Sequence, residues 1–219
     1  MAEKIIVANF KAEPDHALIK TWWKDFISQS QDINLENKKI IICPPVVYLE
    51  YCQEQIDKSG LQISLGAQDL SRFERGAFTG ETTITMLKDL VEYVIIGHSE
   101  RRNYLNENHE WLQRKITIAN KYGLSAILCS DRLEAYEGQI WALAYEPLAA
   151  IGTENAESAT NSWQNLQKIK EGFTVQHYLY GGSVKAENAV DFIRVGFDGV
   201  LVGKKSLNPT EFINVISNL

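Results

Sequence analysis

The sequence predicts an α/β protein that forms one (β/α)₈ barrel over residues 1–219, and three observations support this fold class. Eight short runs are almost continuously apolar or β-branched, as is typical of parallel strands covered on both faces. Segments with helical periodicity separate most of these runs. The composition, 45% hydrophobic and 23% charged, has no break that would indicate a second domain.

The predicted elements alternate in order along the chain. Strands are predicted at residues 5–10, 40–43, 63–68, 93–98, 125–130, 141–146, 177–182 and 198–203. Helices are predicted at residues 16–29, 84–91, 110–123, 161–172 and 186–196. Four glycines occupy positions where a left-handed helix cap favours this residue, namely Gly60, Gly123, Gly172 and Gly196.

An open doubly wound sheet is the alternative fold. Such sheets commonly carry a glycine-rich fingerprint after the first strand, whereas this chain has "NFKAEPD" there, without a glycine. The eight-strand alternation therefore favours the closed barrel.

The connection after the fifth strand is short. That strand ends near Ser130 and the sixth begins near Ile140. Because a crossover between parallel strands normally needs about a dozen residues or more, we expect the fifth helix to be reduced to a turn or two and the barrel wall to be thin there.

Composition and charge exclude several classes of function. The formal net charge of −6 with interspersed signs argues against a nucleic-acid or anionic-membrane surface. The first apolar run, residues 5–10, is too short for a signal segment or a membrane span. The three cysteines, Cys43, Cys52 and Cys129, follow no metal-ligand spacing, and their odd number argues against a disulfide framework. We therefore expect a protein of the reducing cytoplasm that binds no metal.

Chemistry is expected at the carboxyl ends of the strands, where barrel enzymes place their active sites. Those ends carry Asn9, Lys11, Gln68, His98–Glu100, Cys129, Glu146, Gly181–Ser183 and Gly203. A lysine, a histidine and a glutamate would thus converge beside glycine-containing loops.

Six strings at successive strand ends carry a resemblance that spans the whole chain. They are "VANFKAE", "GAQDLSRFERGAFTGE", "IIGHSERR", "AYEPLAAIGTEN", "YGGSV" and "DGVLVGKKSL". In this order they resemble the signatures of the triosephosphate isomerase family. The resemblance implies interconversion of dihydroxyacetone phosphate and glyceraldehyde 3-phosphate through an enediolate, a step of glycolysis and gluconeogenesis, without a cofactor.

The resemblance implies a role for each ionisable group. Glu146 matches the base that abstracts a carbon-bound proton, and His98 matches the electrophile that stabilises the enediolate oxygens. This family is itself the standard example of a neutral catalytic imidazole beside a helix N-terminus. Ser99 would lie near that helix cap. The other histidines, His16, His109 and His177, are interpreted as structural.

Lys11 would supply fixed positive charge next to the substrate, with Asn9 and Glu100 matching its family partners. An ion pair from Glu100 would keep the ammonium in position and charged. Cys129, at the end of the fifth strand, is expected to support the site.

Backbone amides from three loops would hold the phosphate in the family. Here they map onto Gly152, Ser183 and Gly203 with Lys204. Lys204 replaces the usual second glycine of the eighth loop. It would be strained if its φ were positive; with an ordinary φ its amide could still donate, and its ammonium could attract phosphate or point to solvent.

Two further departures concern the lid and the fifth strand. The lid has Ala149 where the family has tryptophan, Glu154 where it has glycine, and a hinge at 155–157 that reads "NAE". Lid closure with altered kinetics is therefore expected. After strand five, Ser130-Asp131 replaces Gly-Glu, and the shorter aspartate is expected to brace nearby basic groups less well.

A homodimer is expected because residues 69–80 form a long loop that in the family inserts into a neighbouring subunit. Thr79 would buttress the Asn9 and Lys11 region of that neighbour, while Arg101 and Arg102 resemble interface arginines. The alternative, a mobile surface loop, would not favour two aromatic residues such as Phe73 and Phe78. The reduced helix after the fifth strand could expose apolar barrel wall and so support a tetramer, which stays open as an alternative.

Two other functions stay open at this point. A catalytically impaired relative that binds phosphorylated metabolites would account for the altered lid and eighth loop. A different barrel enzyme acting on a sugar phosphate is conceivable because a fold alone does not give a function, although it would need another set of strand-end residues.

Overall fold

A computed structural model of the chain describes residues 3–31, 33–147 and 156–219, and within them eight parallel strands close into a barrel in chain order. The strands are β1 (Lys4–Asn9), β2 (Lys38–Cys43), β3 (Ile63–Ala67), β4 (Tyr93–Ile96), β5 (Ser125–Ser130), β6 (Ile140–Tyr145), β7 (Val175–Tyr180) and β8 (Gly199–Val202). Each predicted strand is confirmed to within two residues at either end, so the (β/α)₈ prediction is confirmed.

The helices pack around this barrel. They are α1 (His16–Gln29), α2 (Leu49–Ser59), α3 (Ile84–Leu87), α4 (Ser99–Tyr104), α5 (His109–Lys121), α6 (Ala159–Ile169), α7 (Ala186–Val195) and α8 (Pro209–Asn218). The predicted helix 84–91 is confirmed only over its first four residues, because a turn follows Leu87. Within the described residues, none of the helices combines the length and the apolar character needed to cross a membrane.

The strands are continuously apolar because both of their faces are buried. On β1, Ile5 and Val7 belong to the cluster that fills the barrel interior. Ile6 and Ala8 alternate with them and pack outward against the helices. This alternation explains why the strands are readable as unbroken apolar runs.

Three of the four predicted glycine caps have a positive φ: Gly60 (+67°), Gly123 (+79°) and Gly196 (+127°). The prediction is wrong for Gly172, which lies in a 3₁₀ turn over Lys170–Gly172 and is not among the glycines with positive φ. A Cβ at Gly172 would lie 2.5 Å from the carbonyl oxygen of Glu134. Glycine is therefore required there for close approach of two backbones.

The β5–β6 connection, residues 131–139, contains no helical turn. The prediction of a one- or two-turn helix between the fifth and sixth strands is therefore wrong. Nine residues cross between adjacent strands as an irregular segment that lies against neighbouring elements. Tyr136 stacks on His109 of α5 with ring centroids 4.4 Å apart and lies 6.4 Å from Phe173. Side-chain packing and hydrogen bonding hold this segment in place of a helix.

A buried ion cluster joins the loop after β3 to α4 and α5. The Lys115 ammonium lies 2.6 Å from an Asp69 carboxylate oxygen and 2.5 Å from Glu107 Oε1. Arg101 contacts the same two carboxylates, at 2.8 Å from Asp69 and 2.7 Å from Glu107. Burial raises the pKa of Asp69 to about 6, although Lys115 opposes this shift. Removing one of the two bases would therefore leave the two carboxylates without half of their compensating charge.

The cluster predicts that Lys115→Met lowers the free energy of unfolding by about 3–5 kcal/mol at neutral pH, since two buried carboxylates would keep only Arg101 as a partner. Urea denaturation measures the loss. The loss should shrink as the pH falls from neutral towards 4. A buried carboxyl whose pKa is raised destabilises the fold above that pKa and ceases to do so once it is protonated.

Lys121→Met is the matched control for this prediction. It lies on the same helix, but its ion pair with Glu74 is solvent-exposed, so its loss should lower the free energy of unfolding much less than the loss of Lys115. Equal losses in the two variants would contradict the assignment of Lys115 to a buried cluster.

Candidate active site

The first turn of α4 begins directly after β4 and fixes the histidine predicted as electrophile. His98 is the N-cap of α4, and its Nδ1 accepts a hydrogen bond from the Glu100 main-chain N–H at 3.3 Å. A nitrogen that accepts this bond carries no proton, so the neutral tautomer has its proton on Nε2. That nitrogen can therefore donate a hydrogen bond to a substrate oxygen.

Glu146 follows β6 and lies against the same turn. Its Oε2 accepts a hydrogen bond from the Ser99 main-chain N–H at 3.1 Å, and the residue is only 2% exposed. Its Oε1 lies 3.2 Å from His98 Nε2 without hydrogen-bond alignment, and finds no hydrogen-bond donor among the described residues. The carboxylate thus has one anchored oxygen and one oxygen left to accept a proton.

Neighbouring strand ends leave room for this carboxylate. A Cβ at Gly181, after β7, would lie 2.9 Å from the Cγ of Glu146. On the other side, the buried thiol of Cys129 on β5 has its pKa raised far above the usual range, first by burial and then by the charge of Glu146. Cys129 is therefore a protonated, uncharged neighbour of the candidate base.

Lys11 lies beyond the end of β1 in a left-handed conformation with φ of +51°. Two side chains hold its backbone: Asn9 Oδ1 accepts the Lys11 N–H at 3.0 Å, and Gln68 donates to the Lys11 carbonyl at 2.8 Å. The ammonium is 2.5 Å from Glu100 Oε1. Positive φ at a non-glycine residue is characteristic of functional sites, where surrounding contacts impose it.

These groups form one continuous chain of contacts. Glu100 reaches Lys11 with one oxygen, and its other oxygen is 3.5 Å from His98 Nδ1. His98 in turn faces Glu146. The structure therefore brings the three predicted ionisable groups to one mouth of the barrel, as expected from their strand ends.

The residues predicted to hold phosphate lie partly within the described structure. A Cβ at Gly203 would lie 3.5 Å from Lys11 Cε, so the eighth loop borders the lysine. Lys204 is exposed in a 3₁₀ turn and is not among the residues with positive φ, so its backbone is unstrained. Ser183 follows Gly181 and Gly182, and its carbonyl accepts a hydrogen bond from Asn188. Gly152, together with Ala149 and Glu154, lies outside the described residues.

The predicted interface residues differ in their surroundings. Phe78 is 39% exposed and stacks on Phe73 with ring centroids 3.8 Å apart, and Thr79 beside it is exposed. Arg101 enters the Asp69–Glu107–Lys115 cluster. Arg102 points into its own chain, with a side chain only 12% exposed. Its contacts are therefore with this protomer and not with an open surface.

Sequence reasoning missed Glu134, the carboxylate partner of Arg102. Asp131, which takes the place of the usual glutamate after β5, instead pairs with Arg132 at 3.1 Å. Glu134 approaches Arg102 with both oxygens, at 2.9 and 3.0 Å. No periodicity or motif marks this position, and the only sequence signal was the high density of charge in a connection too short for a helix.

Known proteins match this chain over nearly its whole length. The profile of the family described as triosephosphate isomerase matches residues 4–140 and 131–219. The two matched segments overlap over residues 131–140, in the short β5–β6 connection.

Curated relatives match over nearly the whole chain. The triosephosphate isomerase of Dictyoglomus thermophilum is 35% identical over 253 aligned positions that cover all of both chains. That of Alkaliphilus oremlandii is 34% identical, covering 99% of this chain and 100% of the relative. That of Shewanella woodyi is 32% identical, covering 97% and 96%. By profile, identity and coverage, this chain belongs to the triosephosphate isomerase family.

Proposed function

We propose that this chain interconverts dihydroxyacetone phosphate and D-glyceraldehyde 3-phosphate, the activity that its family membership indicates, with Glu146 as base, His98 as electrophile and Lys11 as electrostatic stabiliser. The observation that carries this assignment is the contact chain Lys11–Glu100–His98–Glu146, which ends in a buried carboxylate oxygen without a donor. These groups match the needs of a proton shift between adjacent carbons.

The reaction needs no external oxidant or reductant, because one substrate carbon is oxidised while its neighbour is reduced. Glu146 Oε1 takes a proton from the substrate carbon beside the carbonyl, and the electron pair of that C–H bond forms the enediolate. His98 Nε2–H and the Lys11 ammonium stabilise the oxygens on which negative charge develops. His98 Nε2–H gives its proton to the former carbonyl oxygen and takes back the proton of the neighbouring hydroxyl, so that hydroxyl and carbonyl exchange places. Glu146 returns its proton to the former carbonyl carbon, and the isomer leaves with the enzyme unchanged.

Phosphate binding is assigned to loop amides around Gly152, Ser183 and Gly203, with Lys204 nearby. Gly203 supports this assignment because it borders Lys11, so a phosphate there would lie beside the reacting carbons. The unstrained backbone of Lys204 leaves its amide able to donate. Asn9 and Gln68 act indirectly, by holding the Lys11 backbone.

We further propose that the protein acts as one domain in the cytoplasm, as a homodimer in glycolysis and gluconeogenesis. Three buried free cysteines suit a reducing compartment. The exposed Phe78 beside Thr79 supports a dimer interface, because large exposed aromatic residues are enriched at such contacts. A tetramer stays open as an alternative.

The base assignment predicts that Glu146→Gln lowers kcat by about 10²-fold or more, because general acid–base catalysis usually contributes about 10²–10⁴-fold. The amide keeps the shape of the side chain but cannot accept the proton. A coupled assay with glyceraldehyde 3-phosphate measures the loss. The control is Glu137→Gln, an exposed glutamate of the β5–β6 connection, which should leave kcat unchanged.

Turnover of the Glu146→Gln variant close to that of wild type would remove Glu146 from the mechanism. A wild-type protein that binds the triose phosphate but does not turn it over would instead support the impaired-relative alternative.

The interface assignment predicts that Phe78→Asp shifts the protein from dimer to monomer and lowers activity, because a twofold interface would bury the new charge twice. Sedimentation velocity at micromolar and nanomolar concentrations measures the shift. Leu133→Asp is the matched control, since Leu133 is 63% exposed on the β5–β6 connection. Leu133→Asp should leave a dimer intact. If the wild type is larger than a dimer and Leu133→Asp reduces it to a dimer, the wild-type assembly is the tetramer. A fully active wild-type monomer would contradict the proposal.

A further inference from the structure

We propose that Glu134 is a positioning residue for the isomerisation, which acts through Arg102 to hold the ends of β4 and β5 under His98 and Glu146. This inference rests on the function proposed above. Glu134 lies on the helix-free β5–β6 connection and takes over the bracing position that Asp131, directly after β5, does not fill.

Arg102 connects the two strand ends that support the site. Its Nε donates to the Gly97 carbonyl at 2.7 Å, and its Nη2 donates to the Cys129 carbonyl at 2.9 Å. Gly97 immediately precedes His98, and the thiol of Cys129 adjoins Glu146. One guanidinium therefore spans the strand ends that flank the electrophile and the base.

Gly97 shows how closely β4 is fitted to this guanidinium. It has a φ of +70°, and a Cβ there would lie 3.1 and 3.2 Å from two Arg102 nitrogens. The backbone just before His98 thus lies directly on the arginine. Movement of Arg102 would shift the main chain from which His98 projects.

Glu134 determines the orientation of Arg102. Its two oxygens accept two parallel hydrogen bonds from the guanidinium, at 2.9 and 3.0 Å, a geometry that fixes the guanidinium plane. Burial alone would raise the pKa of Glu134, but hydrogen bonds from Arg102, Tyr136 and Ser130 hold that pKa below its usual value. The carboxylate is therefore charged at neutral pH.

The short connection itself is fixed, which makes Glu134 a rigid support. The Tyr136 hydroxyl and the Ser130 hydroxyl donate to Glu134 Oε2 at 3.0 and 3.2 Å. Gly172 packs its backbone against the Glu134 carbonyl, where a Cβ would lie at 2.5 Å. The connection is thus held from both sides although it contains no helix.

The test is steady-state kinetics of Glu134→Gln, which keeps the shape and removes the charge. We expect kcat per folded protein to fall about 10–100-fold, the scale of a small misplacement of catalytic groups. KM should stay within about threefold, because the substitution keeps the shape of the side chain and removes no group assigned to phosphate binding. Glu137→Gln on the same connection is the control and should behave as wild type.

A double-mutant cycle with Arg102→Lys separates this role from a general structural one. If Glu134 acts through Arg102, the double variant should be no slower than the slower single variant. Independent effects would multiply and would overturn the proposal. So would a kcat for Glu134→Gln within twofold of wild type, or a loss that Glu137→Gln shares.

Two further measurements keep the result interpretable. If Glu134→Gln does not fold, Glu134→Asp replaces it, since it keeps the charge but cannot reach with both oxygens; the same criterion for kcat applies. Wild-type isomerase activity is measured in parallel. An inactive wild type would defeat the proposed function, whereas an active wild type with unaffected Glu134 variants would defeat this inference alone.

Discussion

The site depends on the free main-chain N–H groups at the start of α4. The N–H of Ser99 anchors Glu146, and the N–H of Glu100 anchors His98. The first turn of a helix leaves such donors without intrahelical partners. Two adjacent amides therefore fix the base and the electrophile relative to each other, and the Glu100 side chain extends the same turn to Lys11. This turn contacts all three ionisable groups.

A six-residue helix cannot hold such a position by its own stability, because short helices are marginal without tertiary contacts. The two consecutive arginines of α4 provide those contacts on different sides. Arg101 enters the ion cluster formed with the loop after β3 and α5, while Arg102 reaches the end of β5 and the β5–β6 connection. The turn is thereby fixed between two buried charge networks. The strained backbone of Lys11, which costs about 1–3 kcal/mol at a non-glycine residue, is held in turn by Asn9 and Gln68.

Much of this arrangement was predictable from sequence because it depends on local patterns. Strands buried on both faces read as apolar runs, and the positions of Lys11, His98 and Glu146 follow from the ends of those runs. The misses have a common physical cause. Gly172 resembles a helix cap, but its role depends on a backbone distant in sequence. Arg102 resembles an interface arginine, but its carboxylate partner Glu134 lies 32 residues away on the β5–β6 connection. Neither periodicity nor spacing encodes which distant charge or carbonyl a side chain will contact.

The β5–β6 connection, which contains no helix, shows which parts of the barrel the chemistry requires. Helices on the outer wall bury apolar surface, whereas the site is built at the strand ends. A shortened crossover therefore removes packing that other side chains can replace, as Tyr136 does against His109 and Phe173. Apolar contact cannot replace a carboxylate facing Arg102, since a buried guanidinium needs an acceptor with charge. Glu134 meets that need from a different position on the chain. The barrel therefore requires charge balance beneath the active site, and it does not require a helix at this connection.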